Sequence, residues 1–378
     1  MKVALHQYSG SGWNHHPVND TVDPSKVQLA LCFSSKSILQ EQQFLLSIRE
    51  KFPAASIACC STAGEIIHET VCDNTAVLAA MEFEDTRIGT AAVNIADFAS
   101  SYEAAVALIQ QLPKDELCYV LVLSDGSLVN GSELVKGFRS AAKDLLITGG
   151  LAGDAADFKS TLTGLNGKAE PGKIIAIGFY GKKLVVTHGS QGGWDMFGLE
   201  KEITRSSGNV LFEIENENAL DTYKKYLGSD AENLPGAALF FPIAVTIPGA
   251  ATPVVRTILS IDEDKRTMTF AGDVPEGSQL RFMRANFDTL TMAAATAAQY
   301  SLKKSPSPDF ALLISCVGRK LVLGPRIDEE VEAVCHTLGN SVPVAGFYSY
   351  GEISPFNDGG GCQLHNQTMT ITSFYELP

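Results

Sequence analysis

The sequence predicts a mixed α/β fold, with repeated strand-helix-strand-turn-strand units in mixed sheets and two domains with a cleft between them. Three observations carry this. One compound pattern, strand, helix, strand, small-residue turn ending in Gly-acid, strand, recurs three times along the chain. The connection inside each copy is long enough to force its first two strands parallel. At 378 residues the chain suits two domains, each able to bury its own core.

Taken in order, Val3 to Gln7 reads as a strand, and the Gly/Ser/His/Pro-rich stretch Ser9 to Pro24 as a surface arm, so residues 1–26 are set apart. The first copy runs from the apolar strand Val27 to Phe33 through a helix over Ile38 to Lys51. A second strand, Ala55 to Cys60, enters Ser61-Thr62-Ala63-Gly64-Glu65, and Ala76 to Phe83 closes the copy. In the second copy, Tyr119 to Leu123, the helix Glu133 to Asp144 and Leu145 to Thr148 lead into Gly149-Gly150-Leu151-Ala152-Gly153-Asp154. Lys173 to Tyr180 closes it. The third copy has Phe310 to Ser315, a helix over Asp328 to Leu338, Val342 to Phe347 entering Ser349-Tyr350-Gly351-Glu352, and Gln367 to Phe374. Each closing strand is expected to return antiparallel.

Between the second and third copies the pattern stops. Asn209 to Ile214, Leu239 to Val245, Val254 to Ile261 and Thr267 to Phe270 predict a β-rich section around a helix over Asn218 to Leu227, with Asn218 as its cap and Gly228 as its stop. Asn286 to Leu302 predicts a long helix whose alanine-rich face suits close packing on a sheet. Lys303 to Pro308 reads as a connector. The expected domains are residues 27–215 and 216–378.

Composition narrows the function. With 29 basic and 43 acidic residues the net charge is −14, and no Lys/Arg cluster reverses it locally, which argues against nucleic acid and anionic membranes as partners. No apolar run approaches the roughly 20 residues that span a bilayer, and the N-terminus lacks the apolar core of a signal peptide. Eight scattered cysteines without a CxxC pair read as reduced thiols of a cytoplasmic protein.

The run Cys59 to Ile66, the turn Gly149 to Asp154, and Thr204 to Val210 followed by Ala219 to Tyr223 resemble the N-terminal FIST domain. Ser315-Cys316-Val317-Gly318-Arg319, Gly346 to Ile353 and His365-Asn366-Gln367-Thr368-Met369-Thr370 resemble the C-terminal FIST domain. The matches span roughly residues 27 to 375. The resemblance implies a sensory, small-ligand-binding protein of signal transduction. One stand-alone branch of that family binds haem and senses nitric oxide in concert with a histidine kinase or a cyclic-di-GMP enzyme, and this chain shares that layout. A homodimer is a further expectation.

The expected ligand-binding residues are Gly64, Glu65, Asp154, Gly351 and Glu352 at the turns, with Arg319, Tyr350 and Asn366 beside them. Glycine lets a strand turn sharply and brings backbone amides near a ligand, and the carboxylate binds an amine or caps those amides instead. Haem requires an axial imidazole. His188, at the end of an apolar strand, and His365, after the Gly359-Gly360-Gly361 run, are the iron candidates, each with a structural role as the alternative. Phe347, Tyr348, Trp194, Met196 and Phe197 are candidate walls, and Arg319, Arg326 and Arg205 candidate propionate partners. The alternatives are a non-haem sensor of an amino acid or similar metabolite, and an enzyme using Cys316 or a carboxylate pair. Catalysis is not expected: Ser61 is not in a G-x-S-x-G elbow, nothing local activates Cys316, and the chain has no P-loop and no HExxH.

Overall fold

The computed structural model describes residues 1–377 other than 11, 18–20, 235, 251, 304–306 and 356–360. Parts of the predicted arm, of the connector at 303–308 and of the glycine run at 359–361 therefore lie outside the described residues.

Three units of one design make the body. Unit I contains β1 (Lys2–Tyr8), β2 (Trp13–His15), β3 (Leu29–Ser34), the helices α1 (Lys36–Leu39) and α2 (Gln42–Lys51), β4 (Ser56–Ser61), the hairpin β5 (Glu65–Ile67) and β6 (Thr70–Cys72), and β7 (Ala76–Glu82). Unit II contains β8 (Arg87–Asn94), α3 (Ser101–Gln110), β9 (Leu117–Ser124), α4 (Gly131–Ala141), β10 (Leu146–Leu151), β11 (Thr163–Leu165) and β12 (Lys173–Tyr180). β13 (Leu184–Gln191) then starts unit III.

An inserted subdomain interrupts that unit. Its strands are β14 (Asp195–Ser207), β15 (Val210–Ile214), β16 (Glu217–Asn218), β17 (Ile243–Thr246), β18 (Val254–Arg256), β19 (Ile258–Asp262), β20 (Thr267–Phe270) and β21 (Gln279–Arg284). With α5 (Ala219–Leu227) they enclose a core of their own. Unit III resumes with α6 (Phe287–Ser301), β22 (Phe310–Cys316), α7 (Val317–Leu323), α8 (Asp328–Leu338), β23 (Val344–Ser349), β24 (Gly351–Pro355), β25 (Cys362–His365) and β26 (Met369–Glu376).

The pairing repeats from unit to unit. β3, β9 and β22 each run parallel to the strand that follows the helix (β4, β10, β23). Each runs antiparallel to its closing strand (β7, β12, β26), as the sequence predicts. Beyond the closing strands lie β1, β8 and β13. The strand that follows each Gly-acid turn leaves its own unit. β5 of unit I pairs with β23 of unit III, β24 of unit III pairs with β10 of unit II, and β11 of unit II pairs with β4 of unit I. The exchange closes a ring of three six-stranded sheets.

Alternation along the strands explains the layers. Leu31 and Phe33, Leu121 and Leu123, and Leu312 and Ile314 point to one core shared by all three sheets. Phe33 of unit I stacks on Phe347 of unit III there, with centroids 4.9 Å apart. The opposite faces carry helices: α3 and α4 on unit II, α6 and α8 on unit III, α2 on unit I. Asparagine side chains cap α4, α5 and α6, Asn218 as predicted, by accepting from backbone N–H groups in the first turn. The alanine face of α6 lies so close to β13 that a Cβ on Gly189 would stand 2.0 Å from the Ala297 carbonyl oxygen. Residues 27–215 and 216–378, the two expected domains, are joined through the β5–β23 and β13–β26 pairs. No helix among the described residues is long and apolar enough to cross a membrane.

Candidate functional site

The Gly-acid turns sit where the sheets exchange strands. In unit I the Glu65 carboxylate accepts from the Thr62 hydroxyl three residues earlier, and from the Thr75 backbone N–H at 3.2 Å and Thr75 hydroxyl at 2.8 Å. Unit III repeats this arrangement. Glu352 accepts from the Ser349 hydroxyl at 3.0 Å, and from the Thr368 N–H at 3.1 Å and hydroxyl at 2.7 Å. Both glutamates are buried. Burial lifts Glu65 to about 7 and Glu352 to about 8, against the lowering pull of these donors.

Unit II departs from the pattern. Asp154 accepts from the backbone N–H groups of Lys159 (3.0 Å) and Ser160 (2.8 Å) and from the Tyr350 hydroxyl, so it fixes the 155–160 loop. Tyr350 also stacks on Phe158, centroids 4.7 Å apart.

A cavity of about 740 Å³ opens beside the first two turns and draws on all three units. Unit I supplies Ser35, Lys36, Ser37 and the Thr62 to Glu65 turn; unit II supplies Asp154 to Asp157; unit III supplies one side of α7, including Val317, Lys320 and Leu321. Two ammonium groups enter it. Lys36 donates to the Ser160 hydroxyl and lies 3.9 Å from Asp154. Lys320 crosses from unit III, donating to the Ala63 carbonyl at 2.8 Å and to the half-open Asp73 carboxylate. Gly64, at φ +139°, makes that reach feasible, since a Cβ there would stand 2.5 Å from the Lys320 ammonium nitrogen. Asp157, Asn74 and Gln40 complete the polar wall.

The sequence expectations thus divide. Gly64, Glu65 and Asp154 share this cavity, and Tyr350 braces Asp154 from behind. Gly351 and Glu352 do not line it: the unit III corner is closed, and Glu352 is wholly buried beneath Thr368. Arg319 is wholly buried and committed to Glu330 (3.0 and 2.7 Å), the Leu290 carbonyl (2.9 Å) and the Gly192 carbonyl, leaving it nothing to offer a ligand. Asn366 is buried, with no partner for its amide nitrogen or oxygen among the described residues. Lys36 and Lys320 were not among the expected site residues, because a lone lysine reads as a solvated charge. The available signal is positional: each follows the first strand of its unit within a few residues, in Ser35-Lys36 and Arg319-Lys320.

The haem candidates do not fit that cofactor. His365 is 1% exposed, its Nε2 stands 3.0 Å from the Ser354 carbonyl oxygen, and burial holds it down at about 4. His188 lies within β13 opposite Thr372. Neither lines the cavity. Arg326 pairs with Glu329 and Asp288, and Arg205 with Glu213, so the expected propionate partners are also engaged. Phe347 and Tyr348 belong to the core. Among the described residues no group of three or more His, Cys, Asp or Glu side chains is placed to hold a metal ion. The Cys316 thiol is pushed up by burial and by the nearby Glu352 charge, the reverse of an activated nucleophile.

Among curated proteins none matches the chain in sequence. Among solved structures, the chain is similar to a cyanuric acid hydrolase from A. caulinodans, at 6% identity and TM-score 0.40 over 100% of this chain and 99% of that one. It is also similar to a chorismatase, at 10% identity and TM-score 0.37 over 98% of each. At such scores neither protein's chemistry transfers to this one. The family comparison is decisive: the FIST N domain matches residues 28–217 and the FIST C domain residues 219–355. The chain belongs to the FIST family, whose domains are small-ligand sensors of signal transduction.

Proposed function

We propose that this protein is a receptor for a small zwitterion of the amino-acid type, held in the cavity where the three units meet. One observation carries the reading: Lys36 and Lys320, from different units, enter the same cavity as Asp73 and Asp157. Lys320 spends two of its three N–H donors inside the protein, leaving the third for a ligand carboxylate. Asp157, which also lines the cavity and whose one ion pair among the described residues is the loose, exposed one with Lys159 at 3.8 Å, suits a ligand ammonium. Ala63, Val317 and Leu321 offer apolar surface to a side chain.

A ligand bridging Lys36 and Lys320 ties unit I to unit III, and that tie is the signal available to a partner. A histidine kinase or a cyclic-di-GMP enzyme is the partner that the family resemblance implies. Eight unpaired cysteines suit a cytoplasmic setting. The reading is of a receptor; an enzyme would have to use the Thr62 hydroxyl beside the Glu65 carboxylate or the Ser160 hydroxyl beside Lys36. The haem reading draws no support from His188 or His365, and added haemin is expected to give no Soret band that depends on either histidine. A thermal-shift screen of amino acids tests the main reading: at least one zwitterion stabilises the wild type and fails on Lys320→Met. A screen in which no zwitterion stabilises the protein counts against it.

A further inference from the structure

The outer strands β1, β8 and β13 hold equivalent places in the three sheets, yet their free edges are treated differently. β1 carries one more antiparallel strand, β2, paired at His6–His15, Gln7–Asn14 and Tyr8–Trp13. β13 is overlaid by α6, with the Thr187 hydroxyl bonded to the Ser301 carbonyl at 2.5 Å. β8 ends its sheet with nothing beyond it among the described residues.

The ladder fixes which backbone groups are left over. Ile95 N–H donates to the Gly172 carbonyl at 2.8 Å, and β8 continues that register against β12 from Asn94 to Arg87 without a shift. Because bonding alternates along an antiparallel pair, Val93, Ala91 and Gly89 spend their N–H and C=O groups on β12. Ala92, Thr90 and Ile88 aim theirs outward, as Asn94 does its N–H while its C=O opens the 3-10 turn Ile95–Asp97, and no described strand lies beyond them. The strand also lacks the usual edge protection: it has no proline, lysine or bulge, and its one charge, Arg87, is held at the end by Glu116 at 3.0 Å.

We propose that the β8 edge is the interface for a second copy of this chain, joining two unit II sheets about a twofold axis at Ala91. The outward groups allow only registers that set outward residue against outward residue. Centring on Ala91 engages all four residues, Asn94 through its N–H: Ile88 meets the partner's Asn94, Thr90 meets the partner's Ala92, and Ala91 faces its own copy. Across this register no like charges meet, and the centre is Gly89, Thr90, Ala91 and Ala92, small enough for close approach. β2 on the equivalent edge of unit I shows that the design accepts an antiparallel strand there. Each copy carries a net charge of −14, so added salt tightens the association.

Sedimentation of the full chain tests this. The wild type is expected to be a dimer that strengthens with salt. Thr90→Pro removes an outward N–H, a change an edge strand tolerates, and is expected to give a folded monomer with an unchanged circular dichroism spectrum. Ala91→Cys places two thiols across the axis and is expected to form a covalent dimer on mild oxidation that the wild type does not form. A monomeric wild type, a Thr90→Pro variant that is folded and still dimeric, or an Ala91→Cys protein that stays uncrosslinked would each overturn the proposal.

Discussion

Gly64 is the residue on which the cavity turns. It combines a φ of +139° with contact against the Lys320 ammonium group. Gly64→Ala is expected to displace Lys320, to cost about 1–2 kcal/mol in chemical denaturation, and to weaken ligand response about tenfold or more. Glu352 makes a different prediction. Its carboxyl titrates at about 8 in the fold, and Glu65 at about 7, both well above the ordinary glutamate value. Between pH 6.5 and 8 the folded chain therefore retains protons that the unfolded chain has released, and stability falls as pH rises through that window. His365 and His6, lowered to about 4 and about 3, are neutral in the fold but half protonated at pH 6.5 once unfolded, so they oppose this slope at the low end of the window and fall silent above about pH 7.5. Glu352→Gln removes the larger part, so its stability across this window is expected to vary less than that of the wild type by roughly 1–2 kcal/mol.

At the scale of elements, most strands and helices were legible, because apolar runs, asparagine caps and Gly-acid turns are local signals. The repeat was visible for the same reason, and so was the alanine face of α6. The destination of β5, β11 and β24 was not. Three to five residues such as Glu65 to Ile67 carry no address, and the sheet they join is chosen by a core assembled from distant segments. The outer strand β8 was also missed, since Arg87 to Asn94 alternates weakly. Pairs within a unit form tight seams: a Cβ on Gly346 of β23 would stand 1.9 Å from the carbonyl oxygen of Leu313, its partner on β22. Gly346→Ala is expected to destabilise the protein by roughly 3 kcal/mol in urea denaturation. A change under about 0.5 kcal/mol would mean that the seam is looser than described.

At the scale of the molecule, the ring of exchanges makes the two family domains depend on one another. Unit III has its outer strand β13 from the N-terminal region, and its edge hairpin β5–β6 from unit I. Residues 218–378 alone are therefore expected not to fold cooperatively, as read by circular dichroism melting, whereas the full chain melts as one body. Legibility of the site followed the same division. The turns could be read from the sequence, but their convergence could not: Glu65 and Asp154 meet at the cavity only because unit II returns β11 to unit I, and Lys320 arrives only because unit I sends β5 to unit III. The most direct measurement is a comparison of thermal shifts for wild type and the Lys36→Met/Lys320→Met double variant against the same amino acids. The account predicts that a zwitterion present at a hundredfold excess over its Kd raises the wild-type Tm by about 3 °C and leaves the double variant unmoved. Equal stabilisation of both proteins would contradict it.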